Sequence, residues 1–132
     1  MSFILFIHQD ASKNGDALKT VIDRTFYEIK RQTIQTVNAL KARLKKSSGF
    51  IEKDIFILLV DSGSRLTELM SLVDLIEDKC VILILPDESK ATLSIATQFF
   101  PRFFTPISET YSDLCDVLNK MTNQENKEIE SI

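Results

Sequence analysis

The run Asp54-Ile55-Phe56-Ile57-Leu58-Leu59-Val60-Asp61, followed at once by Ser62-Gly63-Ser64, decides how the chain is read. Every residue from 55 to 60 is apolar. The run therefore lacks the period-two alternation of a strand with one wet face, and it is too short for a buried helix. It has the pattern of a central parallel strand covered by helices on both sides. Asp61 is the first polar residue beyond it. It emerges at the strand's C-terminal end, where open α/β sheets place ligand-binding and catalytic groups.

Four other stretches read as strands. Residues 3–7 form a second continuous apolar strand ending in the polar cluster His8-Gln9-Asp10. Residues 26–30 mix aromatic and β-branched side chains with charges, which suits a sheet edge, where charge discourages pairing with another molecule. Residues 80–85 are again continuously apolar and are stopped by Pro86-Asp87. The last strand lies within residues 99–106, between Pro101 and Pro106, and proline confines it to the other edge.

Helical spacing fills the intervals. Asn14 caps a helix carrying Ala17, Leu18, Val21 and Ile22 on one face. Thr33 opens a second with Ile34, Val37, Leu40 and Leu44 inside, closing on Lys45 and Lys46 before the breaker Ser47-Ser48-Gly49. Ser64 caps a third over 64–79, with Leu66, Leu69, Met70, Val73 and Ile76 as its stripe and Leu72 and Leu75 off it. A weaker helix, rich in Ser and Thr, covers 88–98. In the last, Thr110 and Asp113 make a capping box ahead of a stripe of Tyr111, Leu114, Cys115, Leu118 and Met121.

Strand and helix thus alternate five times, which implies a three-layer αβα, (βα)5 chain with a parallel sheet and right-handed crossovers. The second and fifth strands are the compositional edges, so the expected strand order is 2-1-3-4-5. Residues 1–122 form the domain, and 123–132 read as a short, acidic, flexible tail.

Composition narrows the function classes. At 132 residues, 44% hydrophobic and 27% charged, the chain has enough apolar material for one core, which excludes a disordered or fibrous protein. The formal charge of −3 is small, and Lys and Arg are scattered or sit at helix ends; the expectation is no nucleic-acid partner and no membrane partner. Cys80 and Cys115 read as small core residues of a reducing compartment. No apolar run approaches the ~20 residues of a membrane span. No basic leader precedes the first strand, so the chain reads as soluble and cytoplasmic.

The element lengths, Asp61 after the third strand and the proline after the fifth together resemble the receiver domain of bacterial response regulators, a flavodoxin-like fold, over residues 3–121. The resemblance implies a pocket in which paired acids hold Mg2+ and an Asp takes up a phosphoryl group. A hydroxyl binds one phosphoryl oxygen, and a Lys offsets the added charge. Position by position, the acids fall on His8 and Gln9 with Asp10 one place late, the phosphoacceptor on Asp61, the hydroxyl on Pro86 and the Lys on Thr105. His8 and Gln9 do not supply the anionic oxygens that Mg2+ prefers. The implied protein is a stand-alone receiver-like signalling module that is not an enzyme, has no cofactor or metal and works without Mg2+-dependent phosphorylation. It acts by contact with another signalling protein or with a second copy of itself. A phosphorylatable single-domain regulator using Asp61 is the alternative.

The face made by helix four, strand five and helix five is the partner surface of receivers, which makes Phe99, Phe100, Phe103 and Phe104 candidate interface residues. Adjacent strand residues point to opposite sides, so the four do not all face inward. A different class is a small flavodoxin-like ligand binder or enzyme, for which Ala11-Ser12-Lys13-Asn14-Gly15 is a faint phosphate loop. A TIR-type reading places a catalytic Glu near Glu68. His8, the only histidine, lies beside the crevice and could pair with Asp10 or Asp61 in acid-base work.

Overall fold

The computed structural model describes residues 1–46, 54–108 and 110–130. Five parallel strands, β1 (Ser2–Ile7), β2 (Lys30–Ile34), β3 (Asp54–Leu59), β4 (Cys80–Leu85) and β5 (Phe103–Pro106), form one sheet in the order β2-β1-β3-β4-β5. The connections carry α1 (Ser12–Thr25), α2 (Val37–Lys46), α3 (Gly63–Leu69), the short α4 (Val73–Ile76), α5 (Lys90–Ala96) and α6 (Ser112–Glu130). The expected architecture and strand order are those observed.

Two-sided burial explains the apolar runs. Phe3, Leu5 and Ile7 of β1, Ile55, Ile57 and Leu59 of β3, and Ile82 and Ile84 of β4 pack with Leu18 and Ile22 of α1 and Leu114 and Leu118 of α6. Their alternate neighbours, Ile4, Phe6, Phe56, Leu58, Val81, Leu83 and Leu85, pack on the other side under α2, α3, α4 and α5. Each such fully buried side chain contributes about 1.5–3 kcal/mol relative to exposure. The two cysteines are free and partly buried, and burial pushes both thiols above their ordinary pKa, Cys80 despite the Arg102 guanidinium nearby.

Several local expectations are corrected. The second strand is Lys30–Ile34, not 26–30, and Thr33 and Ile34 belong to it rather than to the next helix. Phe26 instead packs edge-on against Phe3, ring centroids 5.4 Å apart, in the turn before β2. Its aromatic character serves that contact. Helix α1 starts at Ser12, so Asn14 lies inside its first turn, and α2 is capped by Thr36, whose Oγ1 accepts from the Ala39 N–H at 3.1 Å. Ser62, not Ser64, caps α3 by accepting from the Arg65 N–H at 3.2 Å. A 3-10 turn at Met70–Leu72 separates α3 from α4 and advances the helical phase. Leu72 is thereby fully buried, while Met70 and Val73 are only partly so.

Before α6 the Ser108 hydroxyl accepts from the N–H groups of Thr110 and Tyr111, and Tyr111 adopts φ 50°, so Thr110 is not the cap. Burial raises the pKa of the Tyr111 hydroxyl, with the nearby Ser108 backbone acting in the opposite direction. The breaker Ser47-Ser48-Gly49 lies outside the described residues.

Helix α1 crosses the end of β1 so closely that a Cβ on Gly15 would overlap Cγ2 of Ile7. Gly63, at the start of α3, has open space. In denaturant melts, Gly15→Ala should cost about 1–3 kcal/mol by overpacking. Gly63→Ala should be neutral or stabilise by up to about 1 kcal/mol through the unfolded chain. Equal midpoints for the two variants would contradict this packing.

Candidate functional site

Parallel strands bring the ends of β1 and β3 to the same edge of the sheet. Strand β1 hands over to His8 and a 3-10 turn at Gln9–Ala11, where the Ala11 N–H donates to the His8 carbonyl at 2.8 Å. The Asp10 N–H donates to His8 Nδ1 at 3.1 Å, and Asp10 Oδ2 lies 3.4 Å from the same nitrogen. Beyond β3, the Val60 N–H still bonds to the Ile84 carbonyl at 2.8 Å, so Asp61 is the first residue released from the ladder.

Between Asp10 and Asp61 lies Arg65, which the sequence reading did not single out. Its side chain is only 12% exposed. Nε donates to Asp61 Oδ1 at 3.1 Å, Nη1 donates to Glu68 Oε2 at 3.0 Å, and Nη2 lies 3.6 Å from Asp10 Oδ2. All three nitrogens of the planar fork are thus engaged, each with a different carboxylate. Two of these pairs are ordinary helical neighbours, at i,i+4 and i,i+3. The contact with Asp10 crosses from another element and ties the β1 loop to α3. Once Ser62 is the cap, the spacing of Asp61, Arg65 and Glu68 is readable as one helix face; assigning the cap to Ser64 hid it.

The expected pocket therefore assembles in part. His8, Asp10 and Asp61 converge around Arg65, whereas Gln9, Pro86 and Thr105 make no side-chain hydrogen bond or ion pair with that group among the described residues. Among the described residues no three or more His, Cys, Asp or Glu side chains are grouped to hold a metal ion. The donor set does not fit a hard divalent cation, because a guanidinium stands between the two nearest carboxylates. The sketched phosphate loop at Ala11–Gly15 is helical from Ser12 onward. Glu68, the candidate of the TIR-type reading, is the partner of Arg65.

The four phenylalanines divide as follows. Phe99 is 1% exposed and belongs to the core under α5, which removes it from the interface candidates; Phe103 is partly buried on the α1/α6 side. Phe100 is 77% exposed with φ 49°, a left-handed backbone that a bulky residue rarely adopts, and Phe104 is 44% exposed. Phe104 also lines a groove of about 290 Å³ with Leu85, Glu88, Leu93 and Pro106.

No family model matches this sequence, and no curated protein matches it. Among solved structures, the chain is similar to a response regulator protein from Burkholderia pseudomallei, determined with a phosphorylated aspartic acid, calcium ion and citrate. The two share a TM-score of 0.56 and 15% identity over 96% of this chain and 75% of that one. The fold matches the flavodoxin-like receiver fold. At that identity the likeness is one of fold, and what this chain's site does has to be argued from its own residues.

The Arg65 group yields a measurable coupling. In a double-mutant cycle of Arg65→Ala and Asp61→Asn, read by urea denaturation, the two changes should be non-additive by about 0.5–3 kcal/mol. Strict additivity would mean that the ion pair contributes nothing.

Proposed function

We propose that the chain is a receiver-like signalling module, not an enzyme, whose acidic crevice is closed by its own Arg65 instead of a divalent cation. The observation that carries this is the three-way contact of Arg65 with Asp61, Asp10 and Glu68. A phosphoacceptor carboxylate must be free to attack and its product dianion must be neutralised. Here the Asp61 carboxylate is already paired. Thr105, where the receiver pattern has Lys, brings no positive charge, and Pro86, where it has a hydroxyl, brings no donor. His8 and Gln9, in place of the paired acids, weaken the case for Mg2+ further.

Such a module works by contact. The exposed Phe104 in the groove with Leu85, Leu93 and Pro106, together with the exposed Phe100 in the turn ahead of the same strand, supports that edge as the contact surface for a partner protein. No helix among the described residues is long and apolar enough to cross a membrane, and cytoplasmic signalling is the setting that fits two free thiols.

Incubation with Mg2+ and acetyl phosphate, followed by intact mass, should leave the protein unmodified. An acid-labile phosphoryl adduct that disappears in Asp61→Asn would overturn the reading in favour of a phosphorylatable regulator. For the contact surface, Phe100→Asp with Phe104→Asp should leave the melting temperature within a few degrees, because neither side chain is buried. If the partner is a second copy, the double variant should lower the oligomer mass seen by light scattering; a monomeric wild type assigns the surface to a different protein.

A further inference from the structure

Of the sixteen Lys and Arg, six lie between residues 30 and 46 (Lys30, Arg31, Lys41, Arg43, Lys45 and Lys46), a stretch without a single Asp or Glu. The rest of the chain sets ten cations against all nineteen carboxylates. The fold concentrates this asymmetry. Strand β2 is the sheet edge, and α2 runs back across it, so Lys45 and Lys46 return to the end of the sheet where β2 begins with Lys30. Arg43 pins the two elements together, its Nε donating to Gln32 Oε1 at 3.2 Å and its Nη2 to the buried Asp54 at 2.6 Å. Strand alternation puts Lys30 on the same side as Gln32 and Ile34, the side that α2 covers.

Two of the six cations serve the fold: Arg31 pairs with Asp23 and Arg43 with Asp54. Lys30, Lys41, Lys45 and Lys46 are exposed and make no ion pair among the described residues. Lysine on an edge strand guards against sheet extension, and Lys45 and Lys46 complement the C-terminal end of the helix dipole. Neither role covers Lys41, which stands one turn before Lys45, a like-charge spacing that weakens a helix. The described acids flanking this surface and free of an ion pair are Glu28, in the turn ahead of β2, and Asp74 and Glu77, on and just after α4, which packs against α2.

We infer that the exposed face of α2 and the open edge of β2 form a docking surface for a short acidic segment of another protein. Charge complementarity selects the sign of the partner, and the size of the patch selects its length. Helix α2 is about 15 Å long at 1.5 Å per residue. A nucleic acid or an anionic membrane would extend past it onto the exposed Asp74, Glu77 and Asp78 of the neighbouring α4 region, whose charge acts over the ~8 Å Debye length. A short acidic peptide stays on the cations. The free N–H and C=O groups of an edge strand add a backbone ladder for an extended chain. The surface lies at the sheet edge opposite Phe104, with Lys30, Lys45 and Lys46 at the end opposite Asp61, so it is independent of the function proposed above.

The probe is a fluorescein-labelled octaglutamate peptide, titrated with the full chain and followed by anisotropy at physiological ionic strength. Binding should weaken with added salt, and Lys41→Glu with Lys45→Glu should weaken it by about tenfold, the sum of two exposed charge contacts. Lys41→Gln with Lys45→Gln should lose less and serves as the test if the charge-reversed protein melts early. Lys90→Glu, on α5, should bind as the unaltered protein does. Absence of binding, or an equal loss in Lys90→Glu, overturns the surface. Tighter binding of a thymidine oligonucleotide or of phosphatidylserine vesicles than of the peptide overturns the choice of an acidic protein segment.

Discussion

Burial of the central strands on both faces is the constraint from which the rest follows. A strand such as β3, with every side chain shielded, needs backbone partners on each lateral side and a helical layer above and below. Parallel pairing meets the first requirement and crossover helices meet the second. Together they align the strand polarity, so the loops after β1 and β3 open at one end. The meeting of Asp61 with His8 and Asp10 is a consequence of that polarity, because Asp61 is far from the other two in the sequence. The close passage of α1 over Ile7, which requires Gly15, is the local form of the same packing demand.

Two arginines close the two ends of this sheet. At the C-terminal end Arg65 distributes its fork over three carboxylates, leaving a cluster with two net negative charges when His8 is neutral. At the other end Arg43 satisfies Asp54, which is nearly excluded from water and also accepts from the Ser2 hydroxyl at 2.5 Å. A buried carboxylate without such partners would be costly, so Asp54 and Arg43 form one structural unit. The same residue type thus does different work at each end. Arg43 ties α2 and β2 to Asp54, while Arg65 ties the loop after β1 to the start of α3.

The receiver-like fold with this altered crevice separates architecture from chemistry. Strand order and layer arrangement depend on apolar periodicity, which tolerates wide sequence change. A phosphoryl-transfer site depends instead on a few side chains in fixed places, so a shared strand order does not carry such chemistry with it. The exposed aromatic side chains at β5 and the cations of β2 and α2 lie on opposite flanks of the sheet.

The sequence by itself determined the fold class, the polarity of the sheet and the end at which Asp61 would emerge. Continuous apolar runs such as 55–60 and 80–85 admit few other arrangements, and prolines flanking β5 mark an edge. It placed β2 four residues early, because the aromatic pair Phe26-Tyr27 imitates a strand whereas the actual one, Lys30–Ile34, is polar and is held in place by pairing with β1. Only the tertiary structure decided that Arg65 reaches Asp10, that Phe99 turns inward while Phe100 turns out, and that the lysines of 30–46 sit on an edge strand and the helix that covers it. Local pattern records whether a side chain prefers water; which distant group meets it depends on chain reversals and helix phase, and a single 3-10 turn at Met70–Leu72 was enough to shift that phase.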